Sequence, residues 1–202
     1  MLETLRPALP DVPLTDEANE WVALARARLV QHDEQHGSVG ALIETEPASV
    51  WRVLTWLLAS DQLPGSTFLE WGSGVGLVAG LASLAGLDVY GIELAGSLVE
   101  AANDIARQRQ LSARFVAGSF VTPELEAELR VSGTYGATRW EASDEDPYRA
   151  LGLDLSQVDI IFAYPWPREL LIFQRMFELC AKPGAVLWLN SDAGPLLSRK
   201  TA

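Results

Sequence analysis

At 202 residues, with 49% hydrophobic and 21% charged side chains, the chain is long enough for one sizeable core and too balanced in composition to be disordered throughout. Its formal net charge of −12 repels phosphate backbones and disfavours a nucleic-acid partner. The single cysteine, Cys180, excludes an internal disulfide, and no run of about 18 apolar residues offers a membrane span, so a cytoplasmic protein with no membrane partner is expected.

The acidity is uneven: Asp144, Glu145 and Asp146 form one run, whereas Arg26, Arg28, Arg107, Arg109 and Arg114 lie elsewhere and leave room for a local basic face. Seven tryptophans supply large apolar surfaces, most of them expected in the core.

Residues 1–60 read as an arm followed by helices. Pro7, Pro10 and Pro13 punctuate an aperiodic start, which implies an arm that lies over the body or hangs loose. From Asp16 to about His36, Trp21, Leu24, Ala25, Arg28 and Leu29 recur at helical spacing, with Thr15 or Asp16 placed to cap. His32 and His36 are four apart on that helix; no acid or thiol set completes four metal ligands, so a solvated helix end is expected. A second helix runs from Pro47 to about Ser60, and Pro64-Gly65 then turns the chain.

Residues 61–202 alternate short β-type runs with amphipathic helical stretches, the signature of a parallel α/β sheet. Strands are predicted at Thr67–Trp71, Val89–Glu93, Arg114–Ala117, Val158–Tyr164 and Ala185–Asn190, with helices at Val75–Ala85, Gly96–Arg109 and Glu169–Ala181. Right-handed crossovers give the order 3-2-1-4-5 and bring every C-terminal strand end to one rim, where such folds bind ligands. Residues 122–157 form an insertion: Pro123–Arg130 suits a short helix, and the remainder reads either as a substrate lid or as a solvated loop.

The strongest local signal is Glu70-Trp71-Gly72-Ser73-Gly74-Val75-Gly76, a strand entering a glycine turn and then a helix. Glycines let backbone approach a ligand, and the new helix offers free N–H groups to an anionic group. Gly74-x-Gly76-x-x-Ala79, with Glu93 at the ribose position, also fits a dinucleotide fingerprint, so an NAD-dependent oxidoreductase stays open. Glu70 argues against it, because a carboxylate beside a pyrophosphate is repulsive, whereas a ligand carrying an ammonium and a sulfonium welcomes it.

This arrangement resembles the class I SAM-dependent methyltransferases, whose first motif is an acid followed by G-x-G-x-G. Over Ala41–Asn190 the resemblance implies one Rossmann-like, three-layer methyltransferase domain spanning residues 1–202, with S-adenosyl-L-methionine (SAM) as cofactor. It implies that Glu70, Gly72, Ser73, Gly74 and Gly76 hold the cofactor, that Glu93 takes both ribose hydroxyls with Leu94 beside it, and that Ser119 and Phe120 flank the adenine, with core packing the alternative for Phe120. Ser119 stands where the family often has an acid.

Ala163-Tyr164-Pro165-Trp166-Pro167 is similar to the loop beside the transferred methyl, but Ala163 and Tyr164 replace the polar residue and first proline of amino-group methyltransferases of nucleic acids. Tyr164 and Trp166 are therefore the candidate catalytic side chains, as an aromatic surface around the acceptor. Thr45 and Glu46 loosely resemble the turn that closes over the methionine end of SAM in lysine-methylating members; helix capping is the alternative for both.

After strand five only SDAGPLLSRKTA remains, where the family has an antiparallel hairpin. Either the hairpin is lacking, or another segment or a second subunit, as in a homodimer, completes the edge. The expected activity is methyl transfer to a small molecule or a protein side chain; a catalytically inactive SAM-binding or interaction protein is the alternative.

Overall fold

The computed structural model describes residues 1–36, 45–60, 63–131 and 145–202. In chain order these form β1 (Leu2–Leu5), α1 (Asp16–His36), α2 (Pro47–Ala59), β2 (Thr67–Trp71), α3 (Leu77–Leu84), β3 (Asp88–Glu93), α4 (Gly96–Gln108), β4 (Arg114–Ala117), α5 (Pro123–Val131), α6 (Pro147–Leu151), β5 (Ile160–Ala163), α7 (Leu170–Cys180), β6 (Val186–Leu189) and β7 (Leu196–Lys200). Two strands and α1 begin and end where the sequence places them; the other predicted elements shift by one or two residues at their ends.

One mixed sheet runs in the order β1-β7-β6-β5-β2-β3-β4. Strands β2 to β6 are mutually parallel and reproduce the predicted 3-2-1-4-5 order, while β7 pairs antiparallel with both β6 and β1. Of the two alternatives for the C-terminal edge, a lacking hairpin is not what forms: β7 pairs with β6, with Trp188 opposite Leu197, and the N-terminal segment completes the edge beyond it. The proline-rich start is likewise not a loose arm, because Leu2–Leu5 pairs with Leu197–Lys200 and becomes the sheet's edge. The sequence hides this pairing, since a four-residue strand carries too few side chains to show a period of two.

Side-chain alternation builds the two outer layers. Phe68, Ile160, Phe162, Val186 and Trp188 join the core under α1 to α4, whereas Leu69, Trp71, Ile161, Leu187 and Leu189 join the core under α5 and α7. Strand residues that are buried on both faces read as apolar runs, as parallel strands require.

Local chemistry fixes the helices. Thr15 Oγ1 accepts from the Ala18 N–H at 3.2 Å to start α1. Helix α1 then lies tight on α3: the Trp21 indole is fully buried and donates to the Leu77 carbonyl at 3.0 Å. A Cβ on Gly80 would stand 1.9 Å from that ring, so only glycine admits the contact. Within the insertion, Asp146 caps α6, and the buried Tyr148 hydroxyl donates to the Phe120 carbonyl at 2.6 Å and accepts from Trp71 Nε1 at 3.0 Å. The remainder of the proposed lid, residues 132–144, lies outside the described residues. No described helix is long and apolar enough to cross a membrane.

Candidate functional site

The parallel strands β2, β3 and β5 end on one rim with Trp71, Glu93 and Ala163, and the chain leaves β2 through the glycine turn. Gly72, Gly74 and Gly76 have φ of +79°, +53° and +78°, in the left-handed region that glycine occupies without strain. The turn is held from below, because Gly72 and Ser73 donate their N–H groups to the Ile92 carbonyl at 2.8 and 3.1 Å.

Glu70 shares the face of Phe68 and so points toward α1 and α3. Its Oε2 accepts from the Ala79 N–H at 2.8 Å, which seats a protein carboxylate at the N-terminus of α3. Among the described residues no cation forms an ion pair with it. Burial pushes its carboxyl well above the usual range; the Ala79 N–H pulls the other way, and the nearby Glu93 carboxylate adds to the rise.

Glu93 clasps the other side of the turn. Oε2 accepts from the Gly74 N–H and Oε1 from the Ala95 N–H, each at 3.0 Å. The two acids therefore flank one glycine turn, as the sequence demands, and both engage its backbone.

Beside this turn opens a cavity of about 430 Å³, within the range of roughly 300–1,000 Å³ common for small-molecule sites. Thr45, Glu70, Gly72, Ser73, Gly74 and Tyr164 of the predicted set line it. Among the described residues, nothing lies within 4 Å of a Cβ at Gly72, and the buried Ser73 hydroxyl has no hydrogen-bond partner. Tyr164 donates to Asp192 Oδ1 at 3.2 Å across to the β6–β7 turn; burial holds its phenol above the ordinary value and the Asp192 contact adds to this.

The remaining predicted residues stand elsewhere. Glu93 and Leu94 lie at the rim outside the cavity lining, Leu94 with 61% of its surface exposed. Gly76 is a packing glycine: a Cβ there would stand 2.6 Å from the Phe115 ring. Ser119 is buried and its Oγ accepts from the Val121 N–H at 3.2 Å, a local turn. The Phe120 ring stacks on Trp71 at 5.6 Å and tilts against Phe173 inside the core under α7, the packing that a core role requires. Trp166 turns from Tyr164 to form a shallow apolar dent with Pro167 and Arg168. Glu46 caps α2 through the Ala48 and Ser49 N–H groups, while Thr45 lines the cavity.

His32 is not at a solvated helix end either. It is buried, with Nε2 2.8 Å from Ser97 Oγ and its ring stacked on His36 at 4.6 Å.

The sequence reading missed one wall. Ala25, Arg26, Leu29 and Val30 of α1 face the cavity, and Phe162 of β5 closes behind them. The signal was the apolar pattern of α1, which continues to Leu29 and Val30 beyond its last buried apolar residue, Ala25.

No family model and no curated protein matches the chain. Solved structures do match in fold. An RNA methyltransferase from Salinibacter ruber, in complex with S-adenosyl-L-homocysteine, is 16% identical with a TM-score of 0.52, over 79% of this chain and 93% of that one. An O-methyltransferase from Bacillus cereus, in complex with the same compound, is 14% identical with a TM-score of 0.52, over 89% and 67%. The O-methyltransferase of tomaymycin synthesis from Streptomyces achromogenes, in complex with SAM, is 15% identical with a TM-score of 0.51, over 89% of this chain and 66% of that one. The chain thus has the Rossmann-like fold of SAM-dependent methyltransferases.

Proposed function

From this fold and this rim we propose that the chain binds SAM and transfers its methyl group to a small molecule or a protein side chain. The observation that carries the reading is the glycine turn flanked by Glu70 and Glu93 and opening onto a cavity of about 430 Å³. The residues present suit a positively charged nucleoside. Glu70 is a buried carboxylate that offers a countercharge to an ammonium, and Gly72 leaves space for close backbone approach. Glu93 uses one acceptor site on each oxygen within the protein; a carboxylate has about four, so one per oxygen is left for a vicinal diol.

When bound, SAM supplies a methyl group on a leaving group already activated by its positive charge. The chain then needs to orient the acceptor and exclude water rather than provide a strong acid or base. Tyr164, beside the apolar wall of α1, serves that positioning role, and Trp166, set apart from the cavity, does not.

The dinucleotide reading loses support at Ala79. The N–H that would meet a pyrophosphate already donates to Glu70 Oε2, and the added negative charge opposes a second anion. A SAM-binding protein without turnover is the second reading; it is favoured by the polar loop residue replaced by Ala163, which is wholly buried.

Calorimetric titration of the full chain with SAM and with NADH tests the assignment. Saturable SAM binding with a rise in Tm is expected, and NADH binding without SAM binding would overturn it. Transfer of labelled methyl from SAM into metabolite or protein extracts separates the enzyme from the inactive binder. With a net charge of −12, label in nucleic acid is not expected.

A further inference from the structure

The cavity meets one carboxylate that belongs to no motif in the sequence. Tyr164 lines the cavity, and its hydroxyl donates to Asp192 Oδ1 at 3.2 Å. Burial, and then Asp192 itself, hold the phenol above its ordinary value, so it stays protonated at neutral pH and keeps its hydrogen on Asp192. Asp192 stands at the tip of the turn between β6 and β7, and that turn closes without it. The Gly194 N–H donates to the Ser191 carbonyl at 2.8 Å, the Ser191 N–H donates to the Gly194 carbonyl at 3.2 Å, and the Ser191 hydroxyl donates to the same carbonyl at 2.9 Å. The Asn190 N–H donates to the Ala163 carbonyl at 2.9 Å, which fixes the end of β6 beside the residue before Tyr164. A well-bonded turn thus presents to the edge of the cavity a carboxylate that it does not use itself. Asp192 is exposed, and among the described residues no base forms an ion pair with it. The pair offers acceptors only: the phenol has spent its one hydrogen, and the carboxylate has used one of about four acceptor sites. A negative charge and two separate oxygens, beside the rings of Phe162 and Tyr164, complement a nitrogen with several N–H groups better than a hydroxyl with one.

We propose that Asp192, together with Tyr164, binds a primary amine as the methyl acceptor, so that the chain methylates nitrogen. The inference rests on the methyl-transfer reading above and narrows its acceptor class. A primary amine arrives as an ammonium, with three N–H groups and no free electron pair. When one proton leaves to water, two N–H groups remain for the Asp192 carboxylate and the phenol oxygen. The freed pair then forms the nitrogen–carbon bond as the carbon–sulfur bond breaks with its electrons on sulfur, and the methylated nitrogen sheds its surplus proton to solvent.

The full chain is incubated with methyl-labelled SAM and with metabolite and protein extracts, each either untreated or with its primary amines acetylated by the N-hydroxysuccinimide ester of acetic acid. Label should enter an untreated extract, fall about tenfold or more after acetylation, and survive mild alkali, which frees methyl esters as methanol. Asp192→Asn should slow labelling of the untreated extract about tenfold, as expected for a charge-assisted contact at an exposed site. The loss should shrink as the extract is concentrated, the mark of weaker acceptor binding, while SAM affinity and the ligand-free Tm stay unchanged. Asp192→Glu should regain part of the rate. Labelling undiminished by acetylation overturns the amine, and a rate in Asp192→Asn equal to wild type overturns the role of Asp192. A fall in SAM affinity that matches the fall in rate also overturns it, since the carboxylate then serves the cofactor. A wild-type chain that binds SAM yet labels neither extract removes the methyl-transfer reading itself, a result distinct from failure of Asp192.

Discussion

Removing the Glu93 carboxylate tests the cleft where its geometry is best defined. Oε2 and Oε1 each accept one backbone N–H at 3.0 Å, from Gly74 and Ala95, and each retains one acceptor site for a ribose hydroxyl. Hydrogen bonds to an ionised group contribute about 1.5–3 kcal/mol each, and a half-buried carboxylate should give the lower end. Glu93→Ala therefore loses two such bonds, about 3 kcal/mol, or somewhat over a hundredfold in Kd. Glu93→Gln keeps one acceptor oxygen and turns an NH₂ toward the Gly74 or Ala95 N–H, so about 1.5 kcal/mol, or tenfold, is expected. The measurement is calorimetric titration with S-adenosyl-L-homocysteine and with methylthioadenosine, which has the ribose and no amino-acid end. Both ligands should weaken by the same factor, because the proposed role of Glu93 is to read only the sugar. An affinity unchanged in a Glu93→Ala chain whose ligand-free Tm shows it folded refutes the reasoning.

Two further substitutions separate binding from stability. Burial raises the Glu70 carboxyl above its unfolded-state value, so its stabilising contribution is full below about pH 4 and is lost as pH climbs through the raised value. Glu70→Gln should therefore match or exceed wild type in Tm at neutral pH while binding SAM about tenfold more weakly; a lower Tm at pH 7 contradicts the assigned direction. Tyr148→Phe removes a hydroxyl bonded to the Phe120 carbonyl and to Trp71 Nε1, leaving two buried polar groups unpaired. A loss of about 2–5 kcal/mol, roughly 5–15 °C in Tm by thermal unfolding, should accompany unchanged SAM affinity, and a loss below about 1 kcal/mol is inconsistent with these bonds.

The sheet order was legible because each strand and its helix announce themselves locally, and because right-handed crossovers leave few topologies. The turn with Glu70 was legible for the same reason: strand, glycines and helix are contiguous in the chain. What escaped was parity and distance. Phe120 and Tyr164 both follow strands as aromatic residues, but Tyr164 falls on the face of Phe162, toward the cavity, whereas Phe120 falls with Trp71 in the opposite core. Once strands end, nothing in the sequence counts which face a loop residue regains. The edge pairing of Leu2–Leu5 with Leu197–Lys200 and the wall supplied by α1 join segments far apart in the chain, which no local pattern reports.

The glycine turn alone does not choose between a dinucleotide and a charged nucleoside, because both need positive φ and a helix N-terminus nearby. Here the choice falls to one side chain. Glu70 emerges from β2 on the face that α3 covers, so its carboxylate reaches the first turn of that helix and accepts from Ala79. Held there, it draws on the helix N-terminus for part of its own stabilisation, while burial leaves it short of a countercharge. An anionic ligand would compete with Glu70 for the same N–H and add repulsion; a cationic one would relieve the burial cost that the folded chain already bears. On the proposed reading the same position therefore disfavours phosphate and favours an ammonium, with no change in the backbone around it.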